Sequence, residues 1–266
     1  MKATVVENTD IHVSRLALGT ASLHHLFSFA QRQKLLETAA SAGVAHFDTS
    51  PYYGYGLAEC DVGAFLSGQR AAFTVATKVG LYPWGTAAGH AASVWARKAL
   101  GKVAPVVSLP AINWQVDRAR ASLQQSLKRL KTDYVDFLFL HEPDEYLINA
   151  DEFMRWIESE VARGTVRSWG LAGVADKVAP WVRARHPLAR VVQTQDSLDK
   201  RQADFMLASD RRLQFTYGYL VAQRHANQVS TPEITLRSAL ERNATGVVIV
   251  STRRAERIAE LARLAA

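Results

Sequence analysis

The chain has 266 residues, 48% of them hydrophobic, with a formal net charge of +7 and one cysteine. That length and apolar fraction support a large core, as one big domain or two small ones. A single thiol excludes an intramolecular disulfide, and the modest, dispersed basic excess suits surface arginines or a small anionic ligand better than nucleic acid.

The opening stretch MKATVVENTDIHVSR lacks the apolar core of a signal peptide. No apolar run approaches the ~18 residues of a membrane span. We therefore expect a reducing compartment, the cytoplasm, and no membrane partner. Cys60 falls in an expected helix between Glu59 and Asp61, which would raise its pKa, so it is read as unreactive.

Short apolar runs then alternate with amphipathic segments. Strands are expected at 15–19, 45–48, 73–78, 134–141, 166–171, 191–195, 213–217 and 246–250. Between them, Val116, Ala119, Leu123, Leu127 and Leu130 recur at helical steps, as do Phe153, Trp156, Ile157 and Val161. Thr231 followed by Pro232 reads as a helix start, and Gly43 and Gly164 sit where helices should stop. YVDFLFL and GVVIV are almost continuously apolar, as in parallel strands covered on both faces. Eight alternating units predict an α/β fold, a (β/α)8 TIM barrel forming a single domain over 1–266. A doubly wound sheet would want G-x-G-x-x-G after its first strand, where the chain has TASLHHLF. Residues 81–113, rich in Gly, Ala, Pro and Ser and carrying Trp84 and Trp95, are expected to form a substrate-side loop with a short helix near 91–100.

In such a barrel the chemistry sits at the carboxyl ends of the strands. The second strand ends in Asp48, with Tyr53 five residues on, inside FDTSPYYGYG. The third ends in Lys78, the fourth in His141, the sixth near Gln193 and the seventh at Tyr217. Alone, such a lysine is an ordinary charge and such a histidine an ordinary core residue; converging on one rim they form a coherent set. An ammonium lowers the pKa of a nearby phenol, and a carboxylate keeps that ammonium charged. A neutral imidazole orients a carbonyl by hydrogen bonding. This set suits protonation of an oxygen that becomes an alkoxide when hydride attacks its carbon, and a cofactor must supply the hydride.

FDTSPYYG, the TK at 77–78, SLKRLKTDYVDFLFLHEPD and GTVRSWGLAG resemble the aldo-keto reductases, in order over almost the whole chain and most weakly over 81–113 and 218–230. The resemblance implies a barrel enzyme that interconverts a small carbonyl and an alcohol, using NADP(H) in preference to NAD(H). It implies that Tyr53 is the general acid, Lys78 and Asp48 its tuning pair, and His141 the carbonyl orienter. Gln193 would hold the nicotinamide carboxamide, Tyr217 would stack on the ring, and Gly19 and Thr20 would approach the cofactor. Ser251, Thr252, Arg253, Arg257 and Glu260 would form the adenosine end, with the arginines on a 2′-phosphate; a helix N-terminus with arginines is an anion site on physical grounds too. INWQVDRARASLQQSLKRL is similar to the bacterial aldose-dehydrogenase branch, pointing to sugars or related polar carbonyls.

Departures from the family pattern bear on the cofactor. Ala172 and Gly173 stand where Ser-Asn usually grips the carboxamide, which removes two hydrogen bonds of about 0.5–1.5 kcal/mol each. The loop at 218–230 is short, Leu261 replaces an expected asparagine, and the C-terminal substrate loop of many members is expected to be missing beyond Ala266. These changes leave open a regulatory or partner subunit on the same fold with little turnover. A Schiff-base aldolase using Lys78 is a third reading, disfavoured because a lysine paired with Asp48 stays protonated.

Overall fold

The computed structural model describes residues 1–84, 92–94, 96–97, 109–225 and 230–265. It begins with an antiparallel ribbon of β1 (Ala3–Val5) and β2 (His12–Ser14), which the sequence pattern does not announce. The barrel then opens with β3 (Leu16–Gly19), β4 (His46–Asp48) and β5 (Thr74–Val79). A second antiparallel ribbon, β6 (Leu81–Tyr82) with β7 (Ala111–Ile112), closes the base of the long loop. Strands β8 (Val135–His141), β9 (Val166–Gly173), β10 (Val191–Gln195), β11 (Phe215–Tyr217) and β12 (Val247–Val250) complete the barrel, and β12 pairs in parallel with β3 to close it.

All eight expected strands form, with limits that move by one or two residues. The consequential shift is in β9, which runs on to Gly173, so Ala172 and Gly173 end the strand instead of beginning the loop. Strand β11 starts at Phe215, and the Gln214 side chain just before it donates to the Glu7 carbonyl and accepts from Val192 N–H.

Helices lie between the strands: α1 (Phe29–Ser41), α2 (Leu57–Leu66), α3 (Val116–Leu130), α4 (Ala150–Ala162), α5 (Ala175–Arg183), the single turn α6 (Asp204–Leu207), α7 (Tyr219–His225), α8 (Pro232–Arg242) and α9 (Ala255–Leu264). The apolar stripes are buried as the periodicity requires: Val116, Ala119, Leu123 and Leu130 on α3, and Phe153, Trp156 and Ile157 on α4. Thr231 caps α8 by accepting from Ile234 N–H at 3.3 Å, with Pro232 in the first turn. Residues 92–94 and 96–97 are helical, and the rest of the expected helix at 91–100 lies outside the described residues. None of the helices among the described residues is long and apolar enough to cross a membrane.

Two large clusters form most of the core, with a small third around Tyr55, Leu57 and Val94. Leu18, Phe47, Val75, Leu138, Leu140 and their neighbours point outward and pack under the helices. Ala17, Ala76, Phe137, Phe139, Val191, Phe215, Val247 and Ile249 point inward, and Val6, Ile11 and Val13 close the N-terminal end beneath them. Strand alternation sorts the polar residues in the same way. His46 and Asp48 share the inward face of β4, as do Ala76 and Lys78 on β5, and Phe137, Phe139 and His141 on β8. The last inward residue of each strand is thus aimed at the carboxyl-terminal mouth.

Candidate active site

Asp48, Lys78 and His141 are these last inward residues, and the register brings them together. Asp48 lies beside Ala76 on β5, Lys78 beside Phe139 on β8, and His141 beside Ala172 on β9. Tyr53 arrives differently, on the turn between β4 and α2. Gly54, Tyr55 and Gly56 all adopt left-handed backbone, with φ of 58°, 55° and 91°. A Cβ on Gly54 would come within 2.6 Å of the His24 Cβ, so glycine is required there for space as well as conformation. The bulky Tyr55 holds its unusual backbone because its side chain is buried with Leu57 and Val94.

Lys78 is 1% exposed and Asp48 3%. Lys78 Nζ donates to Asp48 Oδ1 at 2.6 Å and to the Thr49 carbonyl at 2.9 Å. It also lies 4.9 Å from the centre of the Tyr53 ring. Tyr53 and His141 meet edge to face with ring centres 6.0 Å apart. Burial pulls the Lys78 amine down, opposed by the Asp48 carboxylate. Burial, then Lys78, holds His141 down at about 3, so its imidazole is neutral at ordinary pH. Its Nδ1 is buried without a hydrogen-bond partner.

One electrostatic expectation is not met. The sequence suggests that Lys78 lowers the Tyr53 pKa, yet burial first, then Asp48, Tyr217 and Glu142, push the phenol well above its ordinary value. The reason is geometric: the ammonium gives its hydrogen bonds to Asp48 and Thr49 and lies over the ring face.

A cavity of about 240 Å³ is lined by Gly19, Asp48, Tyr53, Lys78, His141, Gln193, Tyr217 and Ser251, together with Ala21, Ala172, Gly173 and Ile249. Larger clefts of about 810 and 690 Å³ open elsewhere. Neither holds this set, and the first lies at the N-terminal ends of the strands, by Arg15 and Gly246. The smaller cavity is the candidate site because the titratable groups converge there.

At the cavity's edge, Ser251 donates to the Gly19 carbonyl at 2.9 Å. The other sequence-predicted residues lie outside the lining. Thr20 turns away, its N–H and hydroxyl both donating to the Asp48 carbonyl, so it braces the strand end. Thr252 accepts from Arg254 N–H. Arg253 is exposed near the start of α9. Arg257 lies 3.8 Å from Glu233 and 3.4 Å from Glu260, too loosely to satisfy its buried Nε. Cys60 is pushed up by burial, as an unreactive thiol should be. The start of the segment after β11 is tied by a buried network, in which Asp196 accepts from Tyr219 and Arg242 at 2.7 and 2.6 Å.

Sequence reasoning missed Glu142. It follows His141 in the LHEPD block, and its carboxylate lies against Gly173 and accepts from Val174 N–H. The available signal was an acidic side chain one residue beyond a strand-end histidine.

The dinucleotide that the family resemblance implies can be tested against the residues present. Gln193 is 3% exposed, and its Oε1 is buried without a partner in a cavity flanked by Tyr217. The orphaned Arg257 Nε is the corresponding unmet donor at the α9 end. An acceptor for an amide N–H beside an aromatic ring, and a donor for an anion at a helix start, fit a nicotinamide dinucleotide.

Residues 15–199 match the model of the Aldo/keto reductase family. Over 187 residues the chain is 30% identical to D-threo-aldose 1-dehydrogenase from a Pseudomonas species, covering 64% of this chain and 54% of that protein. Over 188 residues it is 27% identical to L-galactose dehydrogenase of Arabidopsis thaliana, covering 68% and 51%. The chain thus spans about half the length of these curated relatives. An aldo-keto reductase from Bacillus halodurans superposes with a TM-score of 0.76 at 18% identity, over 99% of this chain and 90% of that one, a likeness of fold.

Proposed function

Because the chain belongs to the aldo/keto reductase family, we propose that it is an NADP(H)-dependent oxidoreductase that interconverts a small carbonyl compound and the corresponding alcohol. The observation that carries this reading is the convergence of Tyr53, Lys78, Asp48 and His141 on one cavity, with the Lys78–Asp48 contact at 2.6 Å. When bound, the cofactor supplies or accepts the hydride.

The chain's own residues do the rest. His141, neutral and with Nδ1 buried, offers Nε2 as the donor that orients the substrate oxygen. Tyr53 gives its proton to that oxygen as negative charge builds there, and takes it back in the oxidative direction. A phenol held protonated by burial suits the first role, and the Lys78 ammonium lies 4.9 Å from the centre of its ring. Asp48 keeps the ammonium charged and fixed. Gln193 would hold the carboxamide, Tyr217 would face the nicotinamide ring, and Gly19 and Ser251, which line the same cavity, would border the cofactor. Arg253 and Arg257, with Thr252 and Glu260 around them, form the 2′-phosphate end. The similarity to an aldose dehydrogenase favours a sugar or a related polar carbonyl.

Titration of the purified protein with NADPH and NADH, followed by tryptophan fluorescence, tests the cofactor assignment. NADPH-selective binding is expected, and Arg257→Ala should weaken NADPH by about ten- to a hundredfold with little effect on NADH. Equal loss for both would remove Arg257 from the 2′-phosphate site, and binding of neither would overturn the reading.

A further inference from the structure

We propose that Glu142 supplies the carboxamide acceptor that Ala172 and Gly173 lack, so that the nicotinamide is gripped between Glu142 and Gln193. This rests on the cofactor reading above and goes beyond it, since it assigns a new residue to recognition.

Glu142 has left-handed backbone, φ 53°, and its N–H donates to the Ala172 carbonyl at 2.7 Å. That turn carries its side chain across the end of β9. A Cβ built on Gly173 would lie 2.8 Å from Glu142 Oε2, 3.2 Å from its Cδ and 3.3 Å from its Cα. The space that a side chain at position 173 would take is therefore already filled by the Glu142 carboxylate. The glycine and the glutamate are one exchange: the polar group that would come from β9 comes instead from the residue after β8.

The chemistry is complementary. A primary carboxamide offers two N–H donors and one carbonyl acceptor. Gln193 Oε1 is a buried acceptor without a partner, and Gln193, Ala172 and Gly173 border the same cavity. The Glu142 carboxylate is a second acceptor beside them. Its charge reaches this site, because Glu142 is among the groups that raise both Tyr53 and Tyr217. The plainer role for Glu142 is structural: its Oε2 accepts from Val174 N–H at 3.1 Å and so caps α5. Recognition and capping differ in what they do to ligand discrimination.

The test is a fluorescence titration of the full chain with three ligands. NADP⁺ carries the carboxamide, its 3-acetylpyridine analogue has no N–H donor, and 2′,5′-ADP has no nicotinamide at all. The parent protein should bind NADP⁺ about tenfold or more tighter than the acetylpyridine analogue, as expected for a charge-assisted hydrogen bond. Glu142→Ala should lower that ratio severalfold, to the part that Gln193 Oε1 alone supplies, while Glu142→Gln should retain most of it. Gly173→Asn added to Glu142→Ala, now with room for its side chain, should restore discrimination. Binding of 2′,5′-ADP should be the same in all four proteins. An unchanged ratio in Glu142→Ala would overturn the proposal and leave Glu142 as a cap. If the parent protein binds none of the three ligands, the cofactor reading falls and this proposal falls with it.

Discussion

Acid should unfold this chain through two histidines that the barrel keeps uncharged. His46 is 1% exposed, ringed by Phe137 and Phe215, with Nδ1 2.8 Å from Thr74 Oγ1. Burial, opposed by Asp136, lowers it to about 3, as burial lowers His141 to about 3. The unfolded chain protonates each near 6.5, so between those values unfolding takes up one proton per histidine. Stability must therefore fall as pH falls through that window, by about 1.4 kcal/mol per pH unit for each. At a pH of about 5 the loss is about 2 kcal/mol per histidine. Asp61 and Glu142, whose carboxyls burial pushes up, act in the opposite sense and partly offset it.

His46→Gln isolates one contribution, because glutamine can still meet Thr74 but does not titrate. Urea unfolding of both proteins between about pH 7 and about pH 4 gives the slope of stability against pH. The variant's slope should be shallower by about 1.4 kcal/mol per pH unit. The carboxyl contributions are common to both proteins and cancel in the difference. Parallel slopes would refute the claim that His46 is held neutral.

Two further changes probe the site's frame. Asp48→Asn leaves the Lys78 ammonium buried without its partner and should lower stability by about 3–5 kcal/mol in urea unfolding; an unchanged midpoint would mean that the ammonium is solvated or neutral. Gly54→Ala forces a Cβ against His24 at φ 58° and should cost about 1–3 kcal/mol, with a lower melting temperature and reduced turnover from the displaced Tyr53. Parent-like melting would show that the turn relaxes freely.

The barrel was legible because its signals are local. Eight apolar runs, the α3 and α4 stripes and the Thr231 cap each encode their own element, and strand-end polar residues must meet once the sheet closes. The two antiparallel ribbons were not legible: β1, β2, β6 and β7 are two or three residues long and lie outside the strand–helix alternation that marks the equally short β4 and β11. The direction of the Tyr53 shift was also hidden, since it depends on where Nζ points and how deeply the phenol lies. Thr20 was assigned from position alone, whereas its hydroxyl faces the Asp48 carbonyl. Glu142 escaped because its importance comes from an empty position on another strand, Gly173.

Whether Tyr53 moves the proton in a cofactor-linked carbonyl reaction is tested most directly by its Tyr53→Phe variant. Parent and variant are compared for NADPH-linked turnover on a panel of aldoses and small aldehydes, alongside NADPH affinity. The parent should turn over, and the variant should lose about a hundred- to ten-thousandfold in rate with NADPH affinity little changed. A variant as active as its parent would contradict the role given to Tyr53.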